Sequence, residues 1–302
     1  MEALLSLAFD NLSSYDGPKI KKGLKQVEGL LAPICLSSAA TKSKKKQAMI
    51  ADNDHNGRPQ PSSPQKPAPP ATKALAELAD DPAFFAFFKL QEGFEWNIAQ
   101  RLLDTLDRLL ARGSDGQNDL LILSTLDLTQ GVLLLHPPSR GLFAREKYMN
   151  LLLDLLEPVN CPAIQAATLL TLVVALLDTP NNTRAFEALD GLLTVTSLFR
   201  ARATAREVKL RLVEFLYFYL MPETPAPAPA PPSHSPSKLV SAFTSGGGGD
   251  HADYADHIRV DHDAGVTRTT DEKQALLGRH LHNVDDLVRD LTAHTPFGGV
   301  LC

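Results

Sequence analysis

Hydrophobic positions between His136 and Met221 fall into two copies of one pattern. In the first copy, Pro137-Pro138-Ser139-Arg140-Gly141-Leu142-Phe143 leads into the stripe Met149, Leu152, Leu155 and Leu156. After a short break, Ala163 to Leu177 is apolar almost throughout. In the second, Pro180-Asn181-Asn182-Thr183-Arg184-Ala185-Phe186 leads into Leu192, Val195, Leu198 and Phe199, and Glu207 to Leu220 follows. A shift of about 43 residues lays Phe143 on Phe186, Met149 on Leu192, Leu152 on Val195, Leu155 on Leu198 and Leu156 on Phe199. That period falls in the range of armadillo and HEAT repeats. Spacings of three and four within each stripe predict helices with one apolar face. Such a unit buries its face only against neighbours, so the pattern predicts an all-α, armadillo/HEAT-like helical repeat stack. Its binding surface is extended, without a closed cleft.

The pattern continues towards both ends. Ile98, Leu102, Leu103, Leu106, Leu109 and Leu110 predict an amphipathic helix, and Leu120 to Leu135, apolar nearly all round, predicts a central one. Phe88 to Leu135 reads as a third, divergent copy, its Glu92-Gly93 matching Asp190-Gly191. Residues 2–12 and 17–33 predict a helical pair that docks as the first cap. Gly17-Pro18 opens its second helix and Pro33 is expected to end it early. Near the C-terminus, Thr269-x-x-Glu272 is a capping-box sequence. Beyond it Leu277, Leu281, Val284, Val288 and Leu291 recur every three or four residues, too briefly for a coiled coil. Such a helix lies back on the stack or in a groove on a partner; a tethered helix has a high effective concentration for its own surface, so the first is expected.

Composition then divides the chain into a helical pair (1–34), a disordered insertion (35–72), the repeats (73–222), a disordered linker (223–269) and a C-terminal helix with tail (270–302). The insertion combines Lys42-Ser43-Lys44-Lys45-Lys46 with a Pro/Ser/Gln-rich run, too poor in apolar residues to offset its ordering entropy. The lysine cluster reads either as solvated linker or as a nuclear localisation signal. The linker has Ala-Pro alternation from Pro225 to Pro231 and the glycine run Gly246 to Gly249. The 22 prolines of the 302 residues cluster in these two stretches, while 44% hydrophobic residues supply a core.

A net charge of -5 argues against a nucleic-acid binder, which carries a basic field. The longest apolar runs are too short to span a bilayer, so no membrane insertion is expected. Three scattered cysteines fit a reducing compartment. No nucleophile motif, Walker loop or dinucleotide fingerprint is present, and no cofactor is expected. The one dense set of metal-ligand types, His251, Asp253, Asp256, His257, Asp261, His262 and Asp263, lies in the Gly-rich linker without groups to orient the imidazoles. No metal site is expected there, and a metal-dependent enzyme is the remote alternative it leaves.

Binding residues are more informative. Arg200, Arg202, Arg206, Lys209 and Arg211 surround the turn into the last repeat helix and suit an acidic partner surface. Arg140 and Arg184 precede the leading helices and serve either the same purpose or, inside the stack, the capping of helix C-termini or structural ladders. Phe84-Phe85-Ala86-Phe87-Phe88 covers more than one stripe of a helix. Phe84 and Phe87 are therefore candidates for a partner-facing patch, against the plainer reading that all the rings pack inside. Ser63-Pro64-Gln65-Lys66 and Ser235-Pro236-Ser237-Lys238 resemble the site read by cyclin-dependent kinases, making Ser63 and Ser235 candidate phosphorylation sites.

Several stretches carry a resemblance to a known family: Met1 to Leu12, Lys22 to Ala32, Asp127 to Pro138, Gln165 to Asn181, Gly278-Arg279 and Thr295-Pro296-Phe297-Gly298. Together they resemble the fungal septation-initiation family called cell division control protein fourteen. An unrelated phosphatase shares that name. No cysteine here has an arginine six residues later, so the phosphate-binding loop of that enzyme is missing. The resemblance implies a non-catalytic subunit that binds a Ste20-like (germinal-centre) protein kinase in the septation initiation network, in the cytoplasm and at the spindle pole body. It transfers no catalytic residues. A scaffold for a small GTPase or a cytoskeletal protein is the alternative within the binding class.

Overall fold

The computed structural model describes residues 1–36, 73, 75–78, 80–112, 116–223, 267–282, 284–286 and 289. Among them are twelve α-helices and one 3-10 helix, with no β-sheet. The helices are α1 (Glu2–Leu12), α2 (Gly17–Cys35), α3 (Leu75–Leu78), α4 (Pro82–Glu92), α5 (Ile98–Leu110) and α6 (Asp119–Leu135). The 3-10 helix Pro137–Ala144 follows, then α7 (Glu146–Leu155), α8 (Pro162–Leu176), α9 (Pro180–Ala188), α10 (Gly191–Arg200), α11 (Arg206–Leu220) and α12 (Thr270–Gly278).

The tandem pattern becomes two three-helix layers, one from the 3-10 helix with α7 and α8, the next from α9 with α10 and α11. A further layer, α4 with α5 and α6, precedes them. The third helices of the layers pack in a ladder, α6 on α8 and α8 on α11, with α2 against α6 at one end and α12 against α11 at the other. The aligned residues take equivalent places. Phe143 and Phe186 are both fully buried, as are Leu152 and Val195. Met149, Leu192, Leu155 and Leu198 are buried beside them, and only Phe199, opposite the buried Leu156, is partly open. The ladder forms because each third helix has too much apolar surface for one neighbour: α6 and α8 are each covered on two sides.

Helix α2 does not stop at Pro33 but runs through it to Cys35. A proline inside a helix removes the bond to the carbonyl four residues back. Here that carbonyl belongs to Gly29, which is exposed to water and within the final turns, so the loss is tolerated. The Pro33 carbonyl is itself used, accepting from the Lys73 ammonium at 3.0 Å. Lys73 also donates its backbone N–H to the Cys35 carbonyl at 2.9 Å, so the two sides of residues 37–72 are tied at one bonded point. Residues 224–266 are bracketed likewise: the Glu223 N–H donates to the Arg268 carbonyl at 3.2 Å.

Buried polar side chains join the layers. Asn182, fully buried, donates from Nδ2 to the Arg140 carbonyl at 2.8 Å and the Ala175 carbonyl at 2.6 Å. One layer earlier, at the aligned position, Ser139 Oγ accepts from Asn97 Nδ2 at 3.0 Å and meets His136 Nδ1 at 2.8 Å. His136 is buried with the Phe88 ring edge-on at 4.5 Å. That burial holds its pKa below the usual histidine value, against a weaker upward pull from Glu92. In the unfolded chain the imidazole binds its proton more readily, so stability is present above pH 6.5 and is lost as pH falls below it. Thermal melts of the native chain and His136→Gln are therefore expected to diverge in slope below pH 6.5, the native chain losing more on acidification. Parallel curves would show that the imidazole stays unprotonated or solvated in both states.

Candidate partner interface

The junctional cations separate into an interior and an exterior set. Arg140, only 7% exposed, donates from Nη1 to the Leu177 carbonyl at 2.9 Å and from Nε to the Leu133 carbonyl at 3.3 Å. It thereby satisfies orphan carbonyls at the C-terminal ends of α8 and α6. Its nearest carboxylate, Asp178, is 4.0 Å away and mostly in water. Of the two roles open to Arg140, the structure selects helix capping.

Arg184 is the centre of a buried charge cluster. Its Nη2 lies 2.5 Å from Glu223 Oε1 and 3.3 Å from Glu187 Oε1. Lys273, from α12, pairs with Glu223 at 3.1 Å and donates to the Met221 carbonyl at 2.9 Å. Arg268 donates its backbone N–H to Glu223 Oε2 at 2.9 Å and reaches Glu187 with its guanidinium at 3.5 Å. Tyr219 donates its hydroxyl to Glu187 at 2.7 Å, and the Lys273 ammonium sits 5.2 Å from the centre of its ring. Burial pushes the Glu187 carboxyl and the Tyr219 phenol above their ordinary values and the Lys273 ammonium below its own. Each shift is toward the neutral form, the mark of desolvation outweighing attraction. Such a cluster specifies a position more than it adds stability.

What it positions is α12. The Thr269–Glu272 capping box is present in both directions: Thr269 Oγ1 accepts from the Glu272 N–H at 3.3 Å, and Glu272 Oε2 accepts from the Thr269 N–H at 2.8 Å. Leu277, Leu281 and Val284 are buried on the stack, while Asp271, Glu272, Arg279 and His282 face water. The helix supplies the polar outer face that the last layer of a stack needs. Sequence reasoning passed over Lys273, although it stands four residues before Leu277 on the buried stripe. A lysine at an apolar-stripe position is the signal that a buried counter-charge awaits it.

The exterior set lies at the turn between α10 and α11. Arg200 ends α10, Arg202 is in the turn, and Arg206 begins α11; all three are exposed. Lys209, one turn along α11, is half-buried. Among the described residues, none of these four forms an ion pair or side-chain hydrogen bond. Arg211 differs, being held by Glu214 at 2.7 Å. Leu210, 59% exposed, adjoins Lys209, and Leu193, 42% exposed, is on the outer side of α10. These two leucines carried no signal in the sequence, where each reads as part of an apolar stripe.

The phenylalanine run is distributed differently from the expectation. Phe87 is fully buried and has no face to offer a partner; Phe84 is half-buried, tilted on Phe88 at 6.0 Å. The open ring is Phe85, 70% exposed, with Phe94 beyond the helix end at 74%. Asp81, accepting from the Ala83 N–H at 2.8 Å, caps α4. Ser63, Ser235 and the His251–Asp263 set lie outside the described residues. Among the described residues no group of three metal-ligand side chains converges, and no single helix is long and apolar enough to cross a membrane.

A helical stack with a polar cap, a buried latch and, among the described residues, an unpaired basic edge defines an all-α helical-repeat protein. The chain belongs to the family described as "Cell division control protein 14, SIN component", which matches residues 1–297. It is similar to "Cell division control protein 14" of Schizosaccharomyces pombe, with 29% identity over 220 residues, 70% of this chain and 78% of the relative. No solved structure matches the chain.

Proposed function

We propose that this chain is a non-catalytic adaptor and regulatory subunit that binds a Ste20-like (germinal-centre) protein kinase in the septation initiation network and promotes septum formation and cytokinesis. The observation that carries the reading is membership, over residues 1–297, of a family described as a SIN component. An armadillo-like stack suits the role, since layers of helices present a long rigid face to another folded protein. A binder of this kind regulates an enzyme by preferring one of its states, whether active or correctly located at the spindle pole body. The Ser-Pro-x-Lys segments at Ser63 and Ser235 fit the same setting as targets of cyclin-dependent kinases, each in a stretch whose ends are pinned to the fold.

Affinity purification from dividing cells tests the reading. A Ste20-like kinase is expected in near-stoichiometric amount among the recovered proteins. Recovery of a small GTPase or a cytoskeletal protein with no kinase would replace the reading by the scaffold alternative.

A further inference from the structure

We infer that the α10–α11 turn, with Arg200, Arg202, Arg206 and Lys209 flanked by Leu193 and Leu210, is the docking surface for an acidic, leucine-compatible segment of the partner protein. The inference rests on the proposed kinase-adaptor reading and assigns the acidic segment to that kinase.

Three observations support it. First, the charge is locally reversed. The chain carries a net charge of -5, yet four cations gather at one turn with no ion pair among the described residues. Four cations against the single exposed carboxylate of Glu207 make this edge basic, and a basic edge attracts an anionic surface.

Second, the edge is not required by the repeat. The aligned turn of the preceding layer holds Glu157, Val159, Ala163 and Ala166, and that layer stacks as well. The interior cations Arg140 and Arg184, by contrast, have structural partners that account for them. Among the described residues the exterior set has none.

Third, the surface is partly apolar. Leu210, 59% exposed, adjoins Lys209, and Leu193, 42% exposed, lies about two turns before Arg200 on the same side of α10. An interface of this composition, charged at the edge and apolar within, fits an acidic amphipathic peptide. A duplex phosphate backbone or an anionic membrane favours a wholly cationic face on a basic protein, which this is not. Helix α12 covers another side of α11 and leaves this edge open, so a partner docks without displacing the C-terminal cap.

The test uses the full chain and the recombinant Ste20-like kinase from the same source. Titrations compare the native chain with Arg200→Glu/Arg202→Glu/Arg206→Glu, with Leu193→Ser/Leu210→Ser, and with a control of equal charge change on α2, Lys21→Glu/Lys22→Glu/Lys25→Glu. All these side chains are exposed, and thermal melts check that each variant folds. The arginine variant is expected to bind at least ~10-fold more weakly, chiefly through slower association. The leucine variant is expected to dissociate faster, and the α2 control to bind as the native chain does. Native binding should weaken as salt rises from ~0.1 M to ~1 M, where the screening length falls from about 10 Å to 3 Å. Equal binding by the native chain and the arginine variant overturns the docking surface and leaves the adaptor reading standing. Failure of the native chain to bind the kinase overturns both. Tighter binding to phosphatidylserine vesicles or to a short single-stranded RNA, lost in the arginine variant, assigns the edge to lipid or nucleic acid and overturns the inference.

Discussion

Replacing Glu223 by alanine is expected to lower stability by about 3–5 kcal/mol, the range for removing one partner from a buried ion pair. Glu223 receives Arg184, Lys273 and the Arg268 N–H together, and its side chain is only 8% exposed. Its loss takes from Arg184 its shorter carboxylate contact, leaving Glu187 at 3.3 Å, and takes from Lys273 its paired carboxylate. Lys273→Met removes a charge that costs desolvation, keeps a chain of similar length over the Tyr219 ring, and leaves the Arg184–Glu223 pair intact. That substitution is expected to be close to neutral. Urea titrations followed by circular dichroism measure both. Hydrogen exchange locates the damage, because α12 joins the stack through α11 and should lose protection before the ladder does. Similar losses for the two substitutions would mean that packing, and not uncompensated charge, holds the cap in place.

Gly191→Ala is the second large effect expected, about 3 kcal/mol, at the upper end of the usual cost of overpacking. A Cβ built on Gly191 lies 2.2 Å and 2.3 Å from Phe186 ring carbons and 2.6 Å from the Phe186 carbonyl oxygen. The ring has no free space to swing into, being fully buried with Phe215 edge-on at 5.6 Å and Tyr219 at 6.4 Å. The carbonyl belongs to the backbone of α9 and moves only if the layer moves. Asp190, at φ 58° in the left-handed region, turns the chain so sharply that α10 begins directly against α9. Gly29→Ala is the matched control. No atom lies within 4 Å of the added methyl, and an exposed helix interior gains about 0.5–1 kcal/mol from the exchange. Equal effects at the two glycines would refute the steric account.

Much of the architecture was legible because it is written in short spacings. A helix is specified by residues three and four apart, a capping box by residues three apart, and a repeat by equivalence along the chain. These gave the tandem layers, the divergent preceding copy and the C-terminal helix with its Thr269–Glu272 cap. Pro33 misled because the cost of a proline depends on where the orphaned carbonyl points, and Gly29 faces water.

The candidate interface was legible in part. Arg200, Arg202 and Arg206 were singled out from their density along the chain, and the structure leaves all three exposed. Phe87 and Phe85 are two residues apart in a run of near-identical character. Which of them is buried depends on the rotation of α4 about its axis, which packing against its neighbours decides.

The sequence by itself determined the all-α class, the stacking of layers, the capped C-terminal helix and the family, since each resides in local order along the chain. Only the tertiary structure decided which cations are interior. Arg140 meets a carbonyl 37 residues away and Lys273 a carbonyl 52 residues away. No spacing rule reaches so far, because the energy of a charge depends on what surrounds it in space and not on its neighbours in sequence. That distinction separates Arg140 and Arg184, which join the layers, from Arg200, Arg202 and Arg206, which are exposed and unpaired among the described residues.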